Sequence, residues 1–174
     1  MVACFLAASG LLPAWAQAQP TEYQVKAAFL HNFIKFTQWP DSTLAEGDTL
    51  VIGVLGQGPM NAALAQASPK SGHGQPVAIR IISRPAEAAR CHVLFINGSA
   101  RHLFQDIASD LRGRPILTIG EDRGFLQDGG IINFFLQKSK VKFEVNARAS
   151  GQAGLILRSQ LLRLAANASA IGES

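Results

Sequence analysis

The chain has 174 residues, 48% of them hydrophobic and 16% charged, with 16 lysines and arginines against 12 aspartates and glutamates. That apolar share excludes a disordered chain, and the length allows one domain with a real core but not comfortably two. The net charge of +4 favours an acidic partner or anionic headgroups.

The first twenty residues, MVACFLAASGLLPAWAQAQP, carry no charge and an apolar run from Val2 to Leu12. Ala14-Trp15-Ala16 and Ala16-Gln17-Ala18 both have the A-x-A form of a secretory cleavage site, and the run is too short to span a bilayer. Residues 1–18 therefore read as a signal peptide, and residues 19–174 as a single exported α/β domain. Cleavage removes Cys4 and leaves Cys91, at the start of the apolar run CHVLFI, as a buried inert thiol with no internal disulfide partner. Nucleic acid is a poor partner for an exported chain whose basic and aromatic residues do not interleave.

Thr21 and Gln24 form a capping box that opens a helix over EYQVKAAFLHNFIKFTQW, which Pro40 ends at Trp39. Val25, Phe29, Phe33 and Phe36 recur at helical spacing, with Leu30 and Ile34 widening the stripe. Lys26, Lys35 and Gln38 fall outside the stripe, and His31 shares the polar side with Lys35. Apolar strands follow at LVIGVL (50–55), VAIRII (77–82), HVLFI (92–96) and PILTIG (115–120). Helices are expected over Met60–Ala67, Pro85–Ala89 and Ser99–Leu111, and Ala67 to Gln75 reads as a surface loop. Continuous apolar strands alternating with helices imply a parallel sheet covered on both faces.

Gly56-Gln57-Gly58, between a strand and a helix, resembles a dinucleotide loop. The third fingerprint position is Asn61, however, and Ile79–Ser83 offers Arg80 but no acid for a ribose. A tight strand-to-helix turn explains the glycines better. Histidines 31, 73, 92 and 102 have no metal-ligand spacing, and no G-x-S-x-G elbow occurs. Neither a metal nor a cofactor is expected. Glu121, Asp122 and Asp128 in GEDRGFLQDGG (120–130) read as a polar loop turning on Gly124 and Gly129.

After Gly130 the pattern changes. GIINFFLQ and KVKFEVN, joined by Lys138-Ser139, form an antiparallel hairpin, and a final helix is expected over Ala147–Asn167 with Leu155, Leu157, Leu161, Leu162 and Leu164. The fold class is a three-layer α/β/α domain with a mostly parallel sheet and a C-terminal antiparallel hairpin. Lys138, Lys140 and Lys142 alternate onto one face of the hairpin, and Lys138 to Arg163 holds six basic residues against one acid, Glu144. Phe134 and Phe135 point to opposite faces, so one of them needs cover from the last helix or from another chain, a second copy included.

EYQVKAAFLHNFIKFTQWP after a signal peptide, CHVLFI, ILTIGEDRGFLQDGGIINFFLQKSKVKFEVN and the leucine-rich C-terminal segment together resemble the YfiR-like periplasmic proteins. The resemblance covers nearly the whole mature chain. It implies a periplasmic, non-enzymatic protein that represses an inner-membrane diguanylate cyclase through the cyclase's periplasmic part. It also implies a second partner, an outer-membrane peptidoglycan-associated lipoprotein that sequesters the repressor. By motif match Ile132 and Glu144 carry over to a partner surface on the hairpin and final helix, beside Phe134, Lys140, Lys142 and Arg148. Cys91 matches a family cysteine whose usual partner lies in the first core strand. That strand has no cysteine here, and Leu126 and Asn133 stand near the family's second pair. The alternative is a small-ligand cleft near Gly56, Asn97 and Glu121.

Overall fold

The computed structural model describes residues 19–67 and 74–168, so the expected signal peptide and most of the loop at 67–75 lie outside it. The helices are α1 (Glu22–Lys35), α2 (Pro59–Ala67), α3 (Arg101–Leu111), α4 (Ala147–Gln152) and α5 (Ser159–Leu164). The strands are β1 (Thr37–Gln38), β2 (Leu50–Leu55), β3 (Val77–Ile82), β4 (Val93–Ile96), β5 (Leu117–Gly120), β6 (Ile132–Gln137), β7 (Lys140–Val145) and β8 (Ile156–Leu157). Six of them form one sheet in the order β3-β2-β4-β5-β6-β7, parallel except for the last pair. The class expected from the sequence is the one observed.

α1 starts where the capping box places it: Gln24 N donates to Thr21 Oγ1 at 3.3 Å, and Thr21 N to Gln24 Oε1 at 2.8 Å. It ends at Lys35, four residues before the expected Trp39. Thr37 Oγ1 donates to the Phe33 carbonyl at 2.7 Å, and Thr37 and Gln38 leave the helix to pair with β8. A Thr hydroxyl bonding back four residues competes with helix continuation.

The expected final helix is in fact two short helices around a strand. Gly154, at φ +69, ends α4. Gly154 N bonds the Gly151 carbonyl at 3.0 Å, and Leu155 N the Ser150 carbonyl at 3.0 Å. This double closure around a left-handed glycine stops a helix. The leucine spacing survives the break because Leu155 and Leu161 still reach the core.

The sheet has a core on each face. On one, Phe29 and Phe33 of α1 meet Phe134 of β6 and Phe143 of β7, the Phe33–Phe143 pair with ring centres 4.8 Å apart. On the other, α3 and the 3-10 segment Pro85–Arg90 cover β2 and β4, and Phe104 meets Phe125 at 4.7 Å. Each aromatic contact adds about 0.5–1.5 kcal/mol beyond its buried area.

The outer edge of β7 is occupied by the chain's own C-terminal segment. Ala166 N donates to the Phe143 carbonyl, and Asn167 exchanges hydrogen bonds with the N–H and carbonyl of Val145 at 3.0 and 2.8 Å.

Candidate functional site

Two regions collect the residues singled out by the sequence. The first lies at the C-terminal ends of β2, β4 and β5. The sheet order turns back between β2 and β4, the crevice position where open α/β sheets place ligands.

Gly56, Asn97 and Glu121 do come together there, and each is already committed to holding the fold. Gly56 sits at φ +81, and a Cβ on it would stand 2.5 Å from Ala100 Cβ. A Cβ on Gly58 would collide with Asn97 Oδ1. Asn97 is buried, and its Nδ2 donates to the carbonyls of Leu55 and Gly56 and to Asn61 Oδ1, at 3.3, 3.1 and 3.2 Å. The glycines thus admit an asparagine clamp across the turn, and Asn61 completes that clamp.

Glu121 closes the same crest. It accepts from Lys26 Nζ at 2.6 Å, from Tyr23 Oη at 3.3 Å and from Gly98 N at 3.3 Å. Lys26, expected on the solvent side of α1, is therefore buried. Its ammonium is shared with Glu22 at 2.6 Å and lies 4.4 Å from the Tyr23 ring centre. The stem of a lysine can lie along apolar surface when its head finds a carboxylate, and here that carboxylate is 95 positions away. Burial alone would lower the Lys26 pKa, but hydrogen bonds to Glu121 and Glu22 outweigh it and the net displacement is upward. Tyr23 is also raised, first by burial and then by the Glu121 charge.

Of the other acids of this loop, Asp122 lies beside Gly98, and Asp128 is engaged elsewhere, pairing with Arg101 at 3.1 Å and accepting from Gln105. His92 is structural, with Nδ1 accepting from Val51 N at 3.0 Å, so that Nε2 carries the proton toward the Thr43 carbonyl. No group of three metal-ligating side chains occurs among the described residues.

The second region is the β6–β7 hairpin. Alternation divides it sharply. Ile132 and Phe134 are fully buried and, with Phe143 and Val145, face α1, so neither presents a surface of its own. The opposite face carries Asn133, Phe135, Lys140, Lys142 and Glu144. Phe135 is half-buried, and Lys140 and Lys142 are exposed. Cover for the phenylalanine pair is thus unequal: Phe134 is buried under α1, and Phe135, on the opposite face, is half-buried.

Glu144 does not pair with Arg148; its Oε1 accepts from Asn133 Nδ2 at 3.2 Å, directly across the ladder. Asn133 is buried, and its Oδ1 has no hydrogen-bond partner. Arg148, exposed on α4, borders a cavity of about 410 Å3 with Arg112, Arg114 and Asn146 at the far end of the hairpin. No local pattern signals the Asn133–Glu144 pair, which depends on the register of the hairpin.

Cys91 is buried and has no described cysteine opposite it; burial pushes its thiol up to about 11. A Cβ on Gly53 of β2 would lie 2.5 Å from its Sγ. Gly53 is thus the position in the first core strand that faces this thiol.

No helix among the described residues is long and apolar enough to cross a membrane. The family DUF4154, described as YfiR/HmsC-like, matches residues 23–166. No curated protein matches the chain. Among solved structures, a conserved domain protein from Vibrio cholerae O1 biovar El Tor is similar at 12% identity and a TM-score of 0.55, over 83% of this chain and 59% of that one. The ABC domain in complex with L-Trp from Streptococcus pneumoniae is similar at 11% identity and a TM-score of 0.50, over 78% of this chain and 59% of that one. The chain spans about three-fifths of each, and at these identities the likeness is one of fold.

Proposed function

The chain belongs to the YfiR/HmsC-like family, which is associated with periplasmic regulation of diguanylate cyclases, and from that premise we propose that it represses an inner-membrane diguanylate cyclase by contact with the cyclase's periplasmic part. In this reading residues 1–18 direct export and are removed. The mature protein binds the inactive arrangement of the sensor more tightly than the active one, and that difference in affinity sets the extent of repression. An outer-membrane peptidoglycan-associated lipoprotein competes for the repressor and relieves the block. No chemical step is required.

The observation that carries this reading is the face of β6–β7 turned away from α1. It joins a half-buried aromatic, Phe135, to two exposed lysines, Lys140 and Lys142, around Glu144. Aromatic residues ringed by charge are the usual composition of a recognition surface. Arg148 extends the positive margin along the hairpin. Ile132 and Phe134 act from beneath, fixing the register that presents Phe135, Lys142 and Glu144. The six-residue strands give this face a length of roughly 20 Å.

The test is direct. Mature protein is titrated into the purified periplasmic domain of its cognate membrane cyclase, and the same titration is made with Phe135→Ala and Glu144→Lys. The proposal expects saturable binding by the native protein and at least about tenfold weaker binding by each variant. Undiminished binding by both folded variants would remove the hairpin face from the account. Absence of any binding by native protein, with no change in cyclic-di-GMP on its deletion, would remove the function.

A further inference from the structure

The opposite margin of the sheet carries a second basic site that the sequence did not reveal, because its residues come from two elements. β3 is the terminal strand, and among the described residues no strand lies beyond it. Leu50 N donates to the Pro76 carbonyl and Gly56 N to the Ile82 carbonyl. Since backbone groups in a parallel ladder alternate between sides, those of Val77, Ile79 and Ile81 are directed at the open edge. The strand contains no proline and no lysine, and Ile81 is 51% exposed.

Beside this edge runs a groove of about 620 Å3, lined by Arg80 and Ile81 of β3 and by Arg84, Glu87 and Arg90 around the following 3-10 turn, with Cys91 buried at its floor. Arg84 is held by Glu87, with Nε donating at 2.8 Å. Arg80 and Arg90 are exposed and make no ion pair among the described residues. The groove thus has three guanidinium groups, one of them paired, next to a strand edge that meets no other described strand.

We propose that β3 is a docking edge for an extended acidic segment of a partner protein, which adds as a strand alongside Val77–Ile82 and sets its carboxylates against Arg80 and Arg90. The two features require the same occupant from different directions. The open backbone selects an extended chain, because only a strand satisfies a row of outward N–H and carbonyl groups. The guanidinium groups select carboxylates, which they hold through paired N–H donors. A small anion would use the arginines and leave the edge unpaired. This site does not depend on the hairpin surface, from which it is separated by the width of the sheet, about 24 Å.

The probe is a fluorescein-labelled heptapeptide of alternating Glu and Val, titrated into the mature protein and followed by anisotropy, with a Lys/Val heptapeptide and citrate as comparisons. The proposal expects saturable binding of the Glu/Val peptide that weakens as salt is raised, and slowed hydrogen exchange at residues 77–82. It also expects at least about tenfold loss of affinity in the Arg80→Glu, Arg90→Glu protein. Should that protein fail to fold, Arg80→Gln with Arg90→Gln removes the charge and must give the same loss. The proposal is overturned if the Glu/Val peptide does not bind, or if the Lys/Val peptide binds as well. It is also overturned if citrate binds as tightly while the amides stay unprotected, since the arginines would then serve only a small anion.

Discussion

The two edges of the sheet end in opposite ways. At β7 the chain's own C-terminal segment closes the edge, with Ala166 and Asn167 bonded to Phe143 and Val145, and four phenylalanines pack the strand against α1. At β3 no described strand follows, Ile81 is half exposed, and arginines line the margin. An unsatisfied strand edge is a template for pairing, so proteins close it, charge it or use it. This chain closes one edge with its own C-terminal segment and leaves the other open beside arginines. Recognition at the hairpin must therefore use its face, whereas at β3 it can use the edge itself.

The contrast is broken most severely by removing aromatic packing from the closed side. Phe134→Ala should cost about 3–5 kcal/mol in denaturant unfolding, because a fully buried ring is lost from between Phe29, Phe33 and β7. Ile81→Ala at the open edge should stay within about 0.5 kcal/mol. Comparable costs at the two positions would mean that the edges are not differently anchored.

Next in size is the ion pair that ties α1 to the crest of the sheet. Glu121→Ala should cost about 3 kcal/mol, the lower end for removing one partner of a buried pair, because Glu22 still faces Lys26. The pH dependence has a definite sign. Lys26 and Tyr23 both titrate above their ordinary values, 10.5 and 10.0, in the folded state. Their contribution is therefore complete below about pH 10 and is lost as pH rises through the raised values. Unfolding free energy measured from neutral to alkaline pH should fall in that window, and less steeply in Glu121→Ala.

The open side can be stapled instead. Gly53→Cys places a thiol against Cys91, and the oxidised variant should gain about 2 kcal/mol, with a thermal midpoint that drops on reduction. The native chain should melt at the same temperature with and without reductant. A reductant-sensitive native protein would contradict the single inert thiol. A smaller effect comes from opening the closed edge: Asn167→Ala removes two side-chain bonds to Val145 and should cost about 1–2 kcal/mol in the same unfolding assay.

Much of this fold was legible in the sequence because its signals are local. The Thr21–Gln24 box, the strand alternation of the hairpin and the apolar runs of the parallel strands depend on neighbours a few residues apart. What escaped is what long-range contacts decide. α1 stops at Lys35 because β1 pairs with β8, more than a hundred residues on, and Lys26 is buried because Glu121 meets it. Ile132 and Phe134 were expected at a partner surface, and the same alternation that identified the hairpin places them against α1. The arginine groove needs β3 and the following turn to be folded together, so no window of the sequence displays it. The Gly56–Asn61 loop is a turn, as its glycines suggest, although the clamp that demands them, Asn97, comes from just past the end of the neighbouring strand β4.

The central claim, that the outer face of the closed hairpin carries regulation while its inner face carries the fold, is tested most directly with Lys142→Glu. Lys142 is exposed on β7 and makes no ion pair among the described residues, so the variant should unfold within about 0.5 kcal/mol of the native protein. Cyclic-di-GMP is then measured in cells carrying the cognate cyclase and either form of the protein. The account predicts that the variant folds normally, reaches the periplasm at native levels and lets cyclic-di-GMP rise toward that of the deletion strain. Full repression by a folded, normally exported Lys142→Glu protein would contradict it.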